Sequence, residues 1–166
     1  VLVSYECQEG CKPRRGERRH DDPDEKKRRF FQEYDLGKLA EIAAGRMSPA
    51  VAGALERVYV PNRAANTVSV IDPTTLKVVD TFKVGVNPQH VVPSWDLKTL
   101  WVANNAEGRK DGSLTPIDPK TGKPGKTVRV EDPYNMYWSP DGQYAIVVAE
   151  AYKRLDFRDV QTMELK

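Results

Sequence analysis

Few side chains in this 166-residue chain are of a type that does proton, metal or electron chemistry near neutral pH: two histidines, two cysteines, and aspartates that recur at intervals. His90 lies amid apolar, strand-forming sequence, whereas His20 sits in a run of charges. An imidazole titrates near physiological pH and carries a nitrogen lone pair, so a metal ligand, a haem contact and a general base would all use His90. Asn135 stands 45 residues after it, flanked by similar sequence. Polar side chains at matching repeat positions can converge on one ligand. The simpler alternative is that both hydrogen-bond nearby loop backbone. Gln89, Tyr134 and Trp95 complete the candidate ligand-binding set, and no residue is assigned a catalytic or metal-binding role. Cys7 and Cys11 form a C-x3-C pair, but zinc needs four ligands and His20 is the only other soft ligand nearby. Two thiols or a local disulfide are expected. Asp72, Asp118 and Asp159 each close a short apolar stretch, where aspartate caps turn N–H groups, so turn chemistry rather than acid/base work is expected of them. The segment from Asn104 to Gly112 is rich in oxygen ligands, but its spacing matches no calcium loop, and a solvated loop is expected. Phosphate-cradling glycine motifs, Ser/His/Asp sets and zinc clusters are absent from the sequence.

The elements that would position His90 and Asn135 repeat. Val58–Asn62, Leu100–Asn104 and Ala145–Ala149 are apolar β-formers running toward a turn, each followed by a second short stretch ending on aspartate. Val60 and Val102 are 42 residues apart, and Val102 and Val147 are 45 apart. Units of about 40–45 residues carrying about four strands are what a β-propeller blade requires. Pro88, Ser94 and Asp96 recur as Pro133, Ser139 and Asp141 without a gap. Ser139-Pro140-Asp141-Gly142 is a strong turn, and Ser94-Trp95-Asp96-Leu97 is its degraded copy. The predicted fold is all-β: an incomplete β-propeller arc of two to three four-stranded antiparallel blades. A short helical lead-in and a disordered N-terminal tail precede it.

Three strands are expected in a first unit (residues 57–86), at 58–62, 67–72 and 77–84. Four are expected in a second (87–130), at 89–94, 99–104, 113–118 and 126–130. Three more are expected in the third (131–166), at 134–139, 144–149 and 154–158. The first strand of each unit should line the central channel, with the loops at its mouth as the binding face. Propellers close with about 4 to 8 blades. The expectation is therefore a piece of a longer propeller, or a chain that self-associates, because an open arc leaves strand edges and end faces bare.

Residues 1–37 alternate basic and acidic blocks without apolar periodicity, so a disordered tail is expected there. In residues 38–56, Leu39, Ile42 and Ala43 share a helical face. Ser48-Pro49 reads as an N-cap with proline at the first helical position, opening a helix through Leu55 that packs on the first blade. With 26 basic and 24 acidic residues the net charge is +2, which predicts no nucleic-acid partner. Apolar runs fall far short of the about 20 residues needed to cross a bilayer, so no membrane span is expected. Val1-Leu2-Val3 is too short for a secretory segment, and no signal peptide is visible.

The repeats resemble the bacterial YVTN family of β-propellers, also called YncE-like. The namesake Tyr-Val-Thr-Asn tetrad appears as Tyr59-Val60-Pro61-Asn62 and, more loosely, as Trp101-Val102-Ala103-Asn104. The family's other signatures appear as Ser139-Pro140-Asp141-Gly142, Val68-Ser69-Val70-Ile71-Asp72 and Val84-Gly85-Val86-Asn87-Pro88. The resemblance covers about residues 57–166 and implies an extracytoplasmic location, periplasm or cell surface. Relatives in the wider class carry redox cofactors, as in the haem-d1 propeller of nitrite reductase, but none of their ligands carries over residue by residue. The expected function is a binding or interaction module recognising a protein, glycan or small molecule at the channel face, with no cofactor. The alternative is part of a periplasmic redox enzyme holding haem or metal through His90.

Overall fold

The structure is a computed structural model of the chain and describes residues 47–107 and 109–166. The charged tail, with Cys7, Cys11 and His20, lies outside the described residues, as does the first part of the lead-in. Within the compact unit Ser48–Lys166 the fold is all-β, in three antiparallel sheets that follow one another along the chain. The first holds β1 (Val58–Asn62), β2 (Thr67–Asp72) and β3 (Lys77–Lys83). The second holds β4 (Pro88–Pro93), β5 (Leu100–Asn104) and β6 (Ser113–Asp118), with β7 (Lys123–Pro124) and β8 (Val128–Arg129) both pairing on β6. The third holds β9 (Pro133–Trp138), β10 (Tyr144–Ala149) and β11 (Arg154–Asp159). The sheets form an open arc, a partial β-propeller.

Alternation along the strands builds the two interfaces between neighbouring sheets. Successive side chains point to opposite faces, so β5 sends Val102 toward Val68 of the first sheet and Trp101 and Ala103 toward Met136, Ala145 and Val147 of the third. Both faces of β5 are thus buried, which is why its sequence is almost continuously apolar. Val68 and Val70 lie on one face of β2, both buried, as the alternation predicts.

Two elements differ from the sequence reading. The fourth strand of the second sheet, expected at 126–130, is split into β7 and β8. Pro116 is the cause: it lies mid-strand in β6, its carbonyl accepts from the Gly125 N–H at 2.8 Å, and it has no N–H to return. The lead-in is one turn of 3-10 helix, Pro49–Val51, capped by the Ser48 hydroxyl at 3.3 Å, not a helix through Leu55. Gly53, at φ 78°, turns the chain away. Leu55 then donates its N–H at 2.8 Å to the carbonyl of Pro119, the residue after β6 of the second sheet.

Candidate functional site

β4 and β9, the first strands of the second and third blades, lie side by side and are tied at both ends. At one end His90 Nδ1 lies 2.8 Å from Tyr134 O, and the two rings meet edge to face at 5.1 Å. At the other, Trp138 Nε1 donates to Pro93 O at 2.7 Å. A carbonyl only accepts, so Nδ1 must carry the proton. The neutral ring then keeps its lone pair on Nε2, which has no partner among the described residues. His90 is half-buried.

The same end of both strands carries a β-bulge. The β4–β5 register shifts between Pro88 and His90, leaving Gln89 as the extra residue. The β9–β10 register shifts between Val148 and Ala149, leaving Tyr134 extra. A bulge re-aims the side chains beside it, and bulges concentrate next to binding sites. The 45-residue spacing pairs Gln89 with Tyr134 and His90 with Asn135; the bulges themselves have no signature in the sequence. Asn135 is the more committed side chain. Its Oδ1 accepts from the Met136 N–H at 2.8 Å, and its Nδ2 reaches Tyr137 Oη at 3.4 Å. Four of the five candidate residues, Gln89, His90, Tyr134 and Asn135, therefore share one end of adjacent strands. Trp95 does not join them: it sits in the β4–β5 turn, beyond the opposite end of β4, about 16 Å along the strand from His90.

The recurring aspartates act in turns. Asp72 Oδ1 accepts from Thr74 N at 2.8 Å, Asp118 Oδ1 from Lys120 N at 2.8 Å, and Asp159 Oδ1 from Thr162 N at 2.9 Å. Those N–H groups hold Asp72 and Asp159 below the usual carboxylate range. Asp96 and Asp141 form a second matched pair. Each takes a hydroxyl hydrogen bond, from Ser94 at 2.7 Å and Ser139 at 2.5 Å, which is the main reason both lie low. Carboxylates held anionic in this way neither supply protons near neutral pH nor act as strong bases.

The tetrad asparagine is a latch between strands. Asn62 Nδ2 donates to Thr67 and Ser69 hydroxyls at 3.1 and 2.8 Å. The fully buried Asn104 donates to Thr115 Oγ1 at 3.0 Å and Ser113 O at 3.1 Å. In the third blade Ala149 stands at that place, and the facing strand carries an ion cluster instead. Arg158 donates to Asp156 at 2.8 Å and to Met163 O at 3.0 Å, and Arg154 donates to Asp156 at 2.7 Å. Burial pushes Asp156 up, but the two guanidinium groups outweigh it and hold the carboxyl low. In the oxygen-rich loop, Arg109 pairs with Asp111, Glu107 with Arg63, and Asn105 Oδ1 accepts from Glu107 N at 3.0 Å. Among the described residues no three His, Cys, Asp or Glu side chains cluster as a metal site would require.

A profile of YNCE-like beta-propellers matches residues 34–165. The chain belongs to the YncE-like β-propeller family. That family is generally periplasmic, and among the described residues no helix is long and apolar enough to cross a membrane. No curated protein matches the chain. Among solved structures it is similar to Kuenenia stuttgartiensis hydrazine synthase, with 25% identity and a TM-score of 0.54 over 69% of this chain and 32% of that one. It is also similar in fold to dihydro-heme d1 dehydrogenase NirN in complex with DHE, with 20% identity and a TM-score of 0.53 over 68% of this chain and 24% of that one. This YncE-like chain thus spans about a third and a quarter of the lengths of these two proteins.

Proposed function

We propose that this chain is a ligand-recognition unit of an extracytoplasmic YVTN-type propeller. It binds a protein, glycan or small molecule where β4 and β9 meet, through His90 with Gln89, Tyr134 and Asn135 around it. The observation that carries this reading is the lock on His90. The Tyr134 carbonyl fixes its tautomer, so Nε2 is a positioned acceptor beside two bulged strands. Further blades complete the ring, from a longer chain or a second copy. Supporting this, the end blades bare apolar side chains, Val78 and Val79 on β3 and Leu155 and Phe157 on β11, where inner blades bury theirs.

A second reading, a redox unit holding haem or metal through His90, is favoured by the same Nε2 lone pair. A backbone carbonyl on the other ring nitrogen is the usual partner of a ligating histidine. One imidazole suffices as an axial base for a haem iron and falls short of a zinc or calcium site. The test is to purify the protein from its native host, record its absorption spectrum and metal content, and screen it against peptide and glycan arrays. The recognition reading expects no Soret band and a ligand whose affinity falls at least tenfold in His90→Ala. A ligand indifferent to that substitution would overturn it, and a haem band lost in His90→Ala would establish the second reading.

A further inference from the structure

A cleft of about 330 Å³ lies at the far end of β4 from His90, between the β4–β5 and β9–β10 turns. Trp95, Trp101, Trp138, Asp96, Gly142 and Gln161 are among the residues that line it. Its volume is at the small end of ligand sites, about 300–1,000 Å³. We propose that this cleft binds a neutral carbohydrate, with Trp95 stacking on a sugar face and Asp96 and Gln161 taking the hydroxyls.

The hydrogen bonds of the β4–β5 turn do not call for a tryptophan at position 95. The two turns make the same hydrogen bonds. Ser94 N and Ser139 N donate to Thr99 O and Tyr144 O at 2.7 and 2.9 Å, and Leu97 N and Gly142 N donate to Ser94 O and Ser139 O, both at 2.9 Å. In the third blade the corner residue is Pro140, the residue type such a turn favours. The second blade makes the same turn with tryptophan, and that side chain remains 55% exposed. An indole in that place satisfies no turn requirement and buries less than half its surface.

The walls are set before any ligand arrives. A Cβ on Gly142 would stand 2.6 Å from Trp95 Cδ2 and 2.8 Å from Cε3, so only glycine lets the indole lie against that turn. Trp138 is oriented by its bond to Pro93 O, and Trp101 is buried in the core between the second and third sheets. Asp96 Oδ1 is occupied by Ser94 Oγ and Lys98 N, while Oδ2 faces only the Lys98 ammonium at 4.0 Å. The carboxylate stays anionic, held below its usual range by the Ser94 hydroxyl, and accepts hydroxyl hydrogens strongly. The Gln161 side chain has no partner among the described residues and offers both donor and acceptor. Indole faces with a carboxylate and an amide at their rim suit a sugar ring, whose C–H faces are apolar and whose edges carry hydroxyls. A wholly apolar ligand would take water from Asp96 Oδ2 without giving it a hydrogen bond.

The test is isothermal titration of the full chain with chitotetraose, cellotetraose and maltotetraose, followed in parallel by tryptophan fluorescence. Saturable binding of at least one sugar is expected, with a shift in emission as Trp95 loses water. Trp95→Ala should weaken it at least tenfold, Trp95→Phe less, and Gln161→Ala about threefold. The melting temperature should hold in Trp95→Ala, as expected for an exposed side chain. His90→Ala should leave the sugar affinity unchanged, which separates this cleft from the strand-end site. Absence of saturable binding by all three sugars at millimolar concentration would overturn the proposal. So would binding that survives Trp95→Ala, or that His90→Ala abolishes equally.

Discussion

Leu76→Gly should stabilise this protein, and the repeat supplies its own controls. Leu76, Gly122 and Met163 each stand four residues after a turn aspartate, and each donates its N–H back to that aspartate's carbonyl, at 2.8, 2.8 and 3.0 Å. All three are left-handed, at φ 55°, 69° and 60°. A residue with a Cβ loses about 1–2 kcal/mol in that conformation. Glycine avoids this loss but gives up about 0.5–1 kcal/mol more chain entropy on folding. Leu76 is 82% exposed, so its side chain contributes little packing to offset the strain. The difference is a gain of about 0.5–1 kcal/mol, worth about 2–5 °C in melting temperature for a unit of this size. Met163 is the opposite case. Its backbone is equally strained, but its side chain is 1% exposed in the core between the second and third sheets. Losing a buried methionine side chain costs about 2–5 kcal/mol, which exceeds the relief, so Met163→Gly should destabilise. Gly122 is buried, and a Cβ there would already stand 3.4 Å from Tyr59 Oη and 3.5 Å from Leu55 Cδ1, so Gly122→Leu adds crowding to the backbone strain and should lose more than Leu76→Gly gains. Thermal and urea melts of the three variants decide it. A Leu76→Gly protein that melts no higher than wild type, or a Met163→Gly protein that melts higher, would refute the reasoning.

Asn104→Ala removes the buried latch on Ser113 and Thr115 and should cost about 1–3 kcal/mol in urea melts; an unchanged midpoint would show that the latch is idle. Asp156→Ala removes the carboxylate partner of Arg158, a residue only 7% exposed, and should cost about 3–5 kcal/mol, far more than loss of an exposed ion pair. The pH profile follows from Asp72, Asp96, Asp141 and Asp159, all held below their usual range. Their stabilisation is present above the unfolded carboxylate value of about 4 and is lost as pH falls through the lower folded values. Melting temperature should therefore be flat down to about pH 5 and fall below about pH 4, with a shallower fall in Asp159→Asn. A melting temperature that rises on acidification contradicts this sign.

The strands were legible because each is specified locally. Alternation and a turn residue at each end placed β1, β2, β6 and β10 at their observed bounds. What escaped was non-local. The break between β7 and β8 depends on Pro116 facing Gly125 from another strand. Nothing in the sequence of the lead-in names Pro119, about 60 residues away, as the acceptor for the Leu55 N–H. At the candidate site the 45-residue spacing exposed the His90/Asn135 correspondence. The carbonyl that sets the His90 tautomer belongs to the next blade, and it becomes visible only once β4 and β9 are side by side. Trp95 and His90 are close in sequence, yet a strand of six residues holds its two ends well apart.

A chain built of repeats carries its own reference sequence, and the manner of each departure separates architecture from function. Where Ala149 replaces the latch asparagine, Arg154, Asp156 and Arg158 take over the facing strand, so that departure is compensated within the fold. His90 in place of Asn135 is compensated in part: one ring nitrogen ties β4 to β9, and the other has no structural task among the described residues. Trp95 in place of Pro140 is not compensated. The turn keeps every hydrogen bond and gains an indole that is more than half in water. Leu97 adds to this, holding φ 60° where the third blade has glycine at 69°. Selection for stability alone would favour proline and glycine here, as in the third blade. The second-blade turn therefore retains residues that a scaffold does not need, beside a cleft that a ligand can fill. Substitutions at Asn104 and Asp156 should lower the melting temperature with ligand affinity following only as the folded fraction falls, whereas Trp95→Ala should lower affinity at constant melting temperature. If Trp95→Ala instead melted several degrees lower, the indole would be a packing residue and the functional reading of the departure would be wrong.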